Sequence, residues 1–199
     1  MTLPRPHPSK RAFRALGIAE CFLRGLPKSL LAGVVMRGDL IIDGAAFSTA
    51  TVGGMDATDS VLSIIHQLNR PDINVVLLNG CVISWYNVID LPRVYEESRR
   101  PLICVTYEPS RGLEEHFRRN FPADWQQRVA IYQRNGGRTP LQLRTGFTVY
   151  IRYFGLTYSD TQQILNRFTL HGRIPEPLRV AQLLARALIK SPASPVKSK

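Results

Sequence analysis

The stretch "NVVLLNGCVISWYNVID", residues 74–90, decides how this chain folds. It opens with Val75, Val76, Leu77 and Leu78, an apolar run with no alternation. Such a run is a strand covered on both faces, whereas a strand with one wet face alternates. The run stops at Asn79-Gly80, a pair suited to a turn. Trp85, Tyr86 and Asn87 follow, and Asp90 stands where a helix over about 88–98 needs a cap.

Upstream, residues 12–19 read as a strand, and 30–37 with 40–52 as a hairpin turning at Gly38-Asp39. Within the hairpin, Asp43-Gly44 reads as a bulge. Residues 56–69 are helical: Val61, Leu62, Ile65 and Leu68 fall on one stripe, and Asp56 is placed to cap the start. Downstream, 101–108 is a strand, and 111–120 and 123–134 are helices parted by Pro122. Residues 141–155 make one or two strands; 159–168, with Ser159 as cap, and 176–190 are helices. Three strands followed by helix-linked strands predict an α/β protein, a mixed sheet with helices on both faces. The expected division is a flexible basic N-terminus over 1–11, a single domain over 12–190, and a disordered basic tail over 191–199.

The 199 residues suffice for one core, and their net charge is +11. Residues 1–14 and 186–199 each hold four basic side chains and no acid, so much of the excess lies at the ends. No lysine occurs between Lys28 and Lys190; the basic residues of the body are arginines, ten of them within 99–152. Arginine's planar fork suits phosphate, so a polyanion partner and a plain solvated surface both fit. No apolar run reaches the roughly 18 residues of a membrane span, and the first residues lack a signal-peptide core, so a cytoplasmic location is expected. Cys21, Cys81 and Cys104 have the spacing of neither a disulfide framework nor a zinc site and read as small buried side chains.

Four motifs, "ALGIAECF", "TVGGMDATDS", "LLNGCVISWYNVIDL" and "GRIPEPLRVAQLLARAL", carry a resemblance. Over about residues 12–190 the chain resembles an archaeal family, formerly a domain of unknown function, linked to an activity called endonuclease dU and similar to endonuclease V. The resemblance implies a ribonuclease H-like fold and an endonuclease acting on DNA with deaminated bases, a DNA-repair role with Mg²⁺, or Mn²⁺, as cofactor. Nucleases of this fold gather carboxylates at the carboxyl ends of neighbouring strands, because a hard cation prefers oxygen ligands and in turn activates water. By motif, the catalytic positions carry over as Glu20, Asp56 and Asn79, with Glu20 and Asp56 as metal ligands. The family's first strand commonly reads Gly-Ile-Asp-Asp; here it reads Gly17-Ile18-Ala19-Glu20. Ala19 and Asn79 each remove one negative charge from the expected set.

For nucleic acid, DNA rather than RNA, Trp85 and Tyr86 would stack an extruded base and Asn87 would meet a base edge. Arg173, Arg179 and Arg186 would hold phosphates. Each residue has a plainer role beside this one. Asp56 is a helix cap, Glu20 a solvated strand end and Asn79 a turn residue. The aromatics pack over the sheet end, and the arginines form a wet helix face. Two functions follow. One is a nucleic-acid-processing relative of metal-dependent endonucleases with reduced or altered catalysis. The other is a catalytically lapsed nucleic-acid-binding protein on the same fold. A scaffold whose basic ends serve solubility is a third.

Overall fold

The computed structural model describes residues 10, 12–110, 112–191 and 193–196. β1 (Arg14–Cys21) pairs antiparallel with β2 (Lys28–Arg37), and β2 with β3 (Ile42–Thr51). Helix α1 (Ala57–Leu68) then crosses to β4 (Val75–Asn79), which lies parallel to β1 with Ile18 opposite Leu78. A small separate hairpin, β5 (Val82–Ile83) and β6 (Asn87–Val88), precedes α2 (Leu91–Ser98) and β7 (Leu102–Thr106), itself parallel to β4. Helices α3 (Glu114–Asn120) and α4 (Trp125–Arg134) lead to β8 (Thr139–Gln142) and β9 (Thr148–Phe154), then to α5 (Tyr158–Phe168) and α6 (Glu176–Lys190). The sheet runs β3-β2-β1-β4-β7-β9-β8.

The run at 75–78 is covered on both faces, as its sequence requires. Val76 and Leu78 join the core beneath α1 and α2, with Val61, Ile65 and Val94. Val75 and Leu77 join the opposite core, with Phe168 of α5 and Leu178 of α6. Helix α6 lies close on β1 because Gly17 has no side chain: a methyl there would stand 2.4 Å from the Pro177 carbonyl carbon. The glycine of the first motif and the Ile-Pro-Glu-Pro of the last thus meet across the fold.

Asp43 is the expected bulge: Val35 opposes Gly44 while Met36 opposes Ile42, which leaves Asp43 unpaired in the ladder. Its carboxylate is held by Arg70 and Arg14, which lower its pKa to about 2. One expectation needs correction. The cap of α5 is Thr157, not Ser159, in a reciprocal capping box with Asp160. The β5–β6 hairpin was not read from sequence, because two-residue strands leave no periodicity. Over the described part of the tail, Val196 is 5% exposed and packs with Leu30 and Ile189. Residues 1–9, 11, 111, 192 and 197–199 lie outside the described residues, and with them the expected flexible N-terminus apart from Lys10. No helix among the described residues is long and apolar enough to cross a membrane.

Candidate functional site

Parallel sheets of this kind present their chemistry beyond the carboxyl ends of adjacent strands. At the ends of β1 and β4 the structure brings Glu20 and Asn79 to one small pocket, lined also by Ile18, Leu31, Leu78 and Ile83. Its space, about 10 Å³, is roughly what one water molecule needs. Burial among these apolar neighbours raises the Glu20 pKa, against weaker opposing hydrogen bonds from Ser84 and Ser29. The Ser84 hydroxyl donates to Glu20 Oε1 at 3.2 Å and shares a 2.5 Å hydrogen bond with the Ser29 hydroxyl. Ala19, where the resembled family has an acid, packs against Val34 and Ala181 of α6.

Asp56 stands at the start of α1, yet its side chain makes no cap. It turns back to β3 instead. Its Oδ1 accepts from the Thr51 amide at 3.0 Å and from Asn87 Nδ2 at 2.7 Å, and its Oδ2 from the Thr51 amide at 3.1 Å and the Thr51 hydroxyl at 2.7 Å. Burial pushes its pKa up, but the bonds from Thr51 and Asn87 outweigh it and the pKa falls below the ordinary value. Three donors, the Thr51 amide shared between both oxygens, take up most of this carboxylate's roughly four lone-pair sites and leave about one for a cation. Asn87 does the capping: its Oδ1 accepts from the Ala57 amide at 3.0 Å, while Nδ2 also donates to the Thr51 carbonyl at 3.0 Å. Asn87 is fully buried, so the expected contact with a base edge gives way to an internal role.

Between the two acids runs the turn Ser84–Tyr86. All three residues are left-handed, with φ of 45°, 56° and 68°, a conformation that costs a non-glycine residue about 1–2 kcal/mol. Two ties hold it. The Gly53 amide donates to the Ser84 carbonyl at 2.7 Å. Arg128, 2% exposed, donates from Nη1 to the Tyr86 and Gly54 carbonyls at 2.8 and 3.0 Å, and from Nη2 to the Gly53 carbonyl at 2.7 Å. Asp124 takes its other two donors at 3.0 and 2.8 Å, and the guanidinium lies 3.7 Å from the Phe121 ring centroid. Arg128 thus fastens α4 to the loop before Asp56 and to the turn above Glu20.

The turn separates the two expected stacking residues. Trp85 is 47% exposed. Tyr86 is stacked on His116 and meets Phe117 and Phe121 edge-on, so it supports Trp85 from beneath rather than facing a ligand. Among the arginines, Arg186 is exposed on α6 beside Cys21 at the end of β1. Arg179 is half-exposed and paired with Glu176; Arg173 donates to the Tyr107 carbonyl at 2.9 Å and to Glu108 at 2.7 Å. The arginine-rich segment 99–152 is a smaller basic surface than its composition suggests, because Arg128 and Arg152 are buried.

The donor set does not fit a paired-metal site. Mg²⁺ takes near-octahedral oxygen coordination, anchored by carboxylates. The pocket offers one carboxylate, Glu20, and one amide, Asn79, while Asp56 is engaged by its own donors. Among the described residues, no three His, Cys, Asp or Glu side chains form a metal-holding group. The sequence reading missed Ser29, Thr51, Ser84 and Arg128. Ser84 had a faint signal, as the residue leading into Trp85-Tyr86; Arg128 had none, being one arginine among many.

Residues 11–189 match the protein family described as endonuclease dU. A UPF0215 protein of Pyrobaculum calidifontis is 37% identical over 170 residues, which cover 85% of this chain and 93% of the relative. One from Pyrobaculum aerophilum is 35% identical over 172 residues, covering 86% and 92%. A solved protein of unknown function from Archaeoglobus fulgidus superposes with a TM-score of 0.78 at 28% identity, over 90% of this chain and 99% of that one. Endonuclease V of Ciona intestinalis, in complex with a 23mer DNA containing an inosine followed by a ribo-adenosine, gives 0.62 at 12% identity, over 89% and 85%. The expected ribonuclease H-like, endonuclease V-like fold holds.

Proposed function

The chain belongs to the endonuclease dU family, and we propose that within it this protein binds DNA carrying deaminated bases, with hydrolysis reduced by the loss of its acids. The observation behind this reading is the Ser84–Tyr86 turn: it projects an exposed Trp85 while its own hydroxyl grips Glu20. A rigid, exposed indole beside the strand ends suits stacking on an unpaired base. Arg186 and Arg179 on α6 supply cationic reach toward the phosphates. Solved endonuclease V structures hold inosine-containing DNA on this fold, which favours deaminated DNA as the ligand class.

Reduced hydrolysis follows from the donors. Glu20 is the single carboxylate free to act in the pocket, and its burial favours the protonated form. That same feature supports a second reading, a slow hydrolysis in which Glu20 moves the proton of an attacking water.

The test is DNA containing deoxyuridine, deoxyinosine or no lesion, presented with Mg²⁺, Mn²⁺ or EDTA. Lesion-preferring binding with little or no cutting is the expected result. Rapid lesion-dependent cutting that vanishes with EDTA and in Glu20→Ala overturns the reduced-hydrolysis reading. Absence of binding at low salt leaves a scaffold as the better account. In a second arm, Asn79→Asp places another carboxylate at the Glu20 pocket. Calorimetry should then show Mg²⁺ binding stronger than in the unchanged chain.

A further inference from the structure

Two thiols that the DNA-binding reading does not use lie against each other just behind the site. Cys81 and Cys104 are 3% and 1% exposed and belong to one core cluster. Cys104 stands in β7 opposite Leu78, and Cys81 follows the end of β4 after Gly80, which turns the chain at φ 83°. Arg152 stands opposite Cys104 in the β7–β9 ladder and reaches the Cys81 sulfur, so both thiols are neighbours of one side chain. Its Nη1 donates to Cys81 Sγ at 3.4 Å, while its Nε donates to the Gly136 carbonyl at 2.7 Å. Arg152 also lines a groove of about 380 Å³ with Arg134, Asn135, Gly136, Thr139 and Tyr153. A small oxidant entering that groove meets the side chain that contacts Cys81.

We propose that Cys81 and Cys104 form a reversible disulfide, a modification site that responds to peroxide. The fixed guanidinium decides between two uses of a buried thiol pair. A positive charge 3.4 Å from the sulfur opposes capture of a thiophilic cation and favours the nucleophilic thiolate. In the first step Cys81 sulfur attacks a peroxide oxygen; the S–O bond forms, the O–O bond breaks, and the departing hydroxide is protonated to water. In the second, Cys104 sulfur attacks the Cys81 sulfenic acid; the S–S bond forms, and hydroxide leaves with the Cys104 proton as a second water. Two thiols lose two protons and two electrons, and one hydrogen peroxide becomes two waters. The Cys81 carbonyl accepts the Ile89 amide at 2.8 Å, and Gly80 joins Cys81 to Asn79. Closing the disulfide therefore fixes the base of the β5–β6 hairpin, which carries Ser84 and Trp85.

The experiment is peptide mapping of the full chain after hydrogen peroxide treatment and alkylation in denaturant, in a Cys21→Ser background. The expected result is an unalkylated Cys81–Cys104 cross-linked peptide, lost on adding dithiothreitol. Full alkylation of both cysteines overturns the proposal, and so does over-oxidation of Cys81 beside an alkylatable Cys104. In Cys104→Ser, peroxide should leave a sulfenic acid at Cys81 that dimedone traps; its absence from folded protein also overturns the proposal. If that variant does not fold, the map of the Cys21→Ser chain alone decides. None of these readouts involves DNA, so failure here and failure of the DNA-binding reading are separate results.

Discussion

Glu20 and Asp56 are two carboxylates on either side of one turn, and the sequence gives no reason to treat them differently. The fold does. Asp56 receives donors on both oxygens and sits below its ordinary pKa. Glu20 faces apolar neighbours with serine hydroxyls as its donors and sits above its ordinary pKa. The first is built into the frame, and the second is left available. The contrast shows that a carboxylate's position in a motif does not fix its chemistry; the donors that reach it do.

The comparison breaks most completely at the group that holds both sides in place. Arg128→Ala leaves three backbone carbonyls and Asp124 without their donors and should cost about 3–5 kcal/mol, read from the denaturant midpoint. Asn87→Ala acts on the Asp56 side alone. It uncaps α1, strips one donor from the carboxylate, and should cost about 1–3 kcal/mol. Asp56's lowered pKa stabilises the fold above pH 3.8, and that contribution fades as pH falls through the folded value. Without Asn87 the folded value moves back toward 3.8, so Asp56's contribution should be smaller and be exhausted at a higher pH, visible in melting curves across the acid range.

Trp85→Ala tests the ligand-facing side. It should weaken DNA binding by about 1–3 kcal/mol in a titration, with little change in melting temperature because the indole is 47% exposed. Glu20→Gln is the subtlest. With its pKa raised, ionisation of Glu20 costs stability as pH climbs through the folded value. The glutamine variant should therefore melt above the unchanged chain at neutral pH and match it below pH 4.5. A variant that melts lower at neutral pH would mean Glu20 is a stabilising ion, and the contrast with Asp56 would dissolve.

Much of the fold was legible because it rests on periodicity. The apolar run at Val75–Leu78, the stripe of α1 and the hairpin around Asp43 each carry their structure locally, and the order of elements then restricts the sheet. The site was legible only as a neighbourhood. Glu20 and Asn79 line one pocket, and Trp85 is exposed. Asn87 reads as a polar surface residue, yet it is the buried link between Asp56 and α1. Arg128 reads as surface charge, yet it is the clamp. Both depend on contacts 30 to 75 residues apart, and no local pattern marks which arginine turns inward. Ser84, Trp85 and Tyr86 hide their left-handed backbone because none is a glycine, the residue that announces such a turn.

That turn also dictates an order of events in folding. Its residues adopt their costly conformation only against ties from Gly53, 31 positions away, and Arg128, 42 positions beyond Tyr86. Those ties close spans of 31 and 42 residues, so the turn reaches its conformation only once the loop at Gly53 and helix α4 are already beside it. The β5–β6 hairpin is then a late latch. Its amides should exchange with solvent through an opening that leaves the seven-stranded sheet protected, so that the turn carrying Trp85 loosens without the sheet.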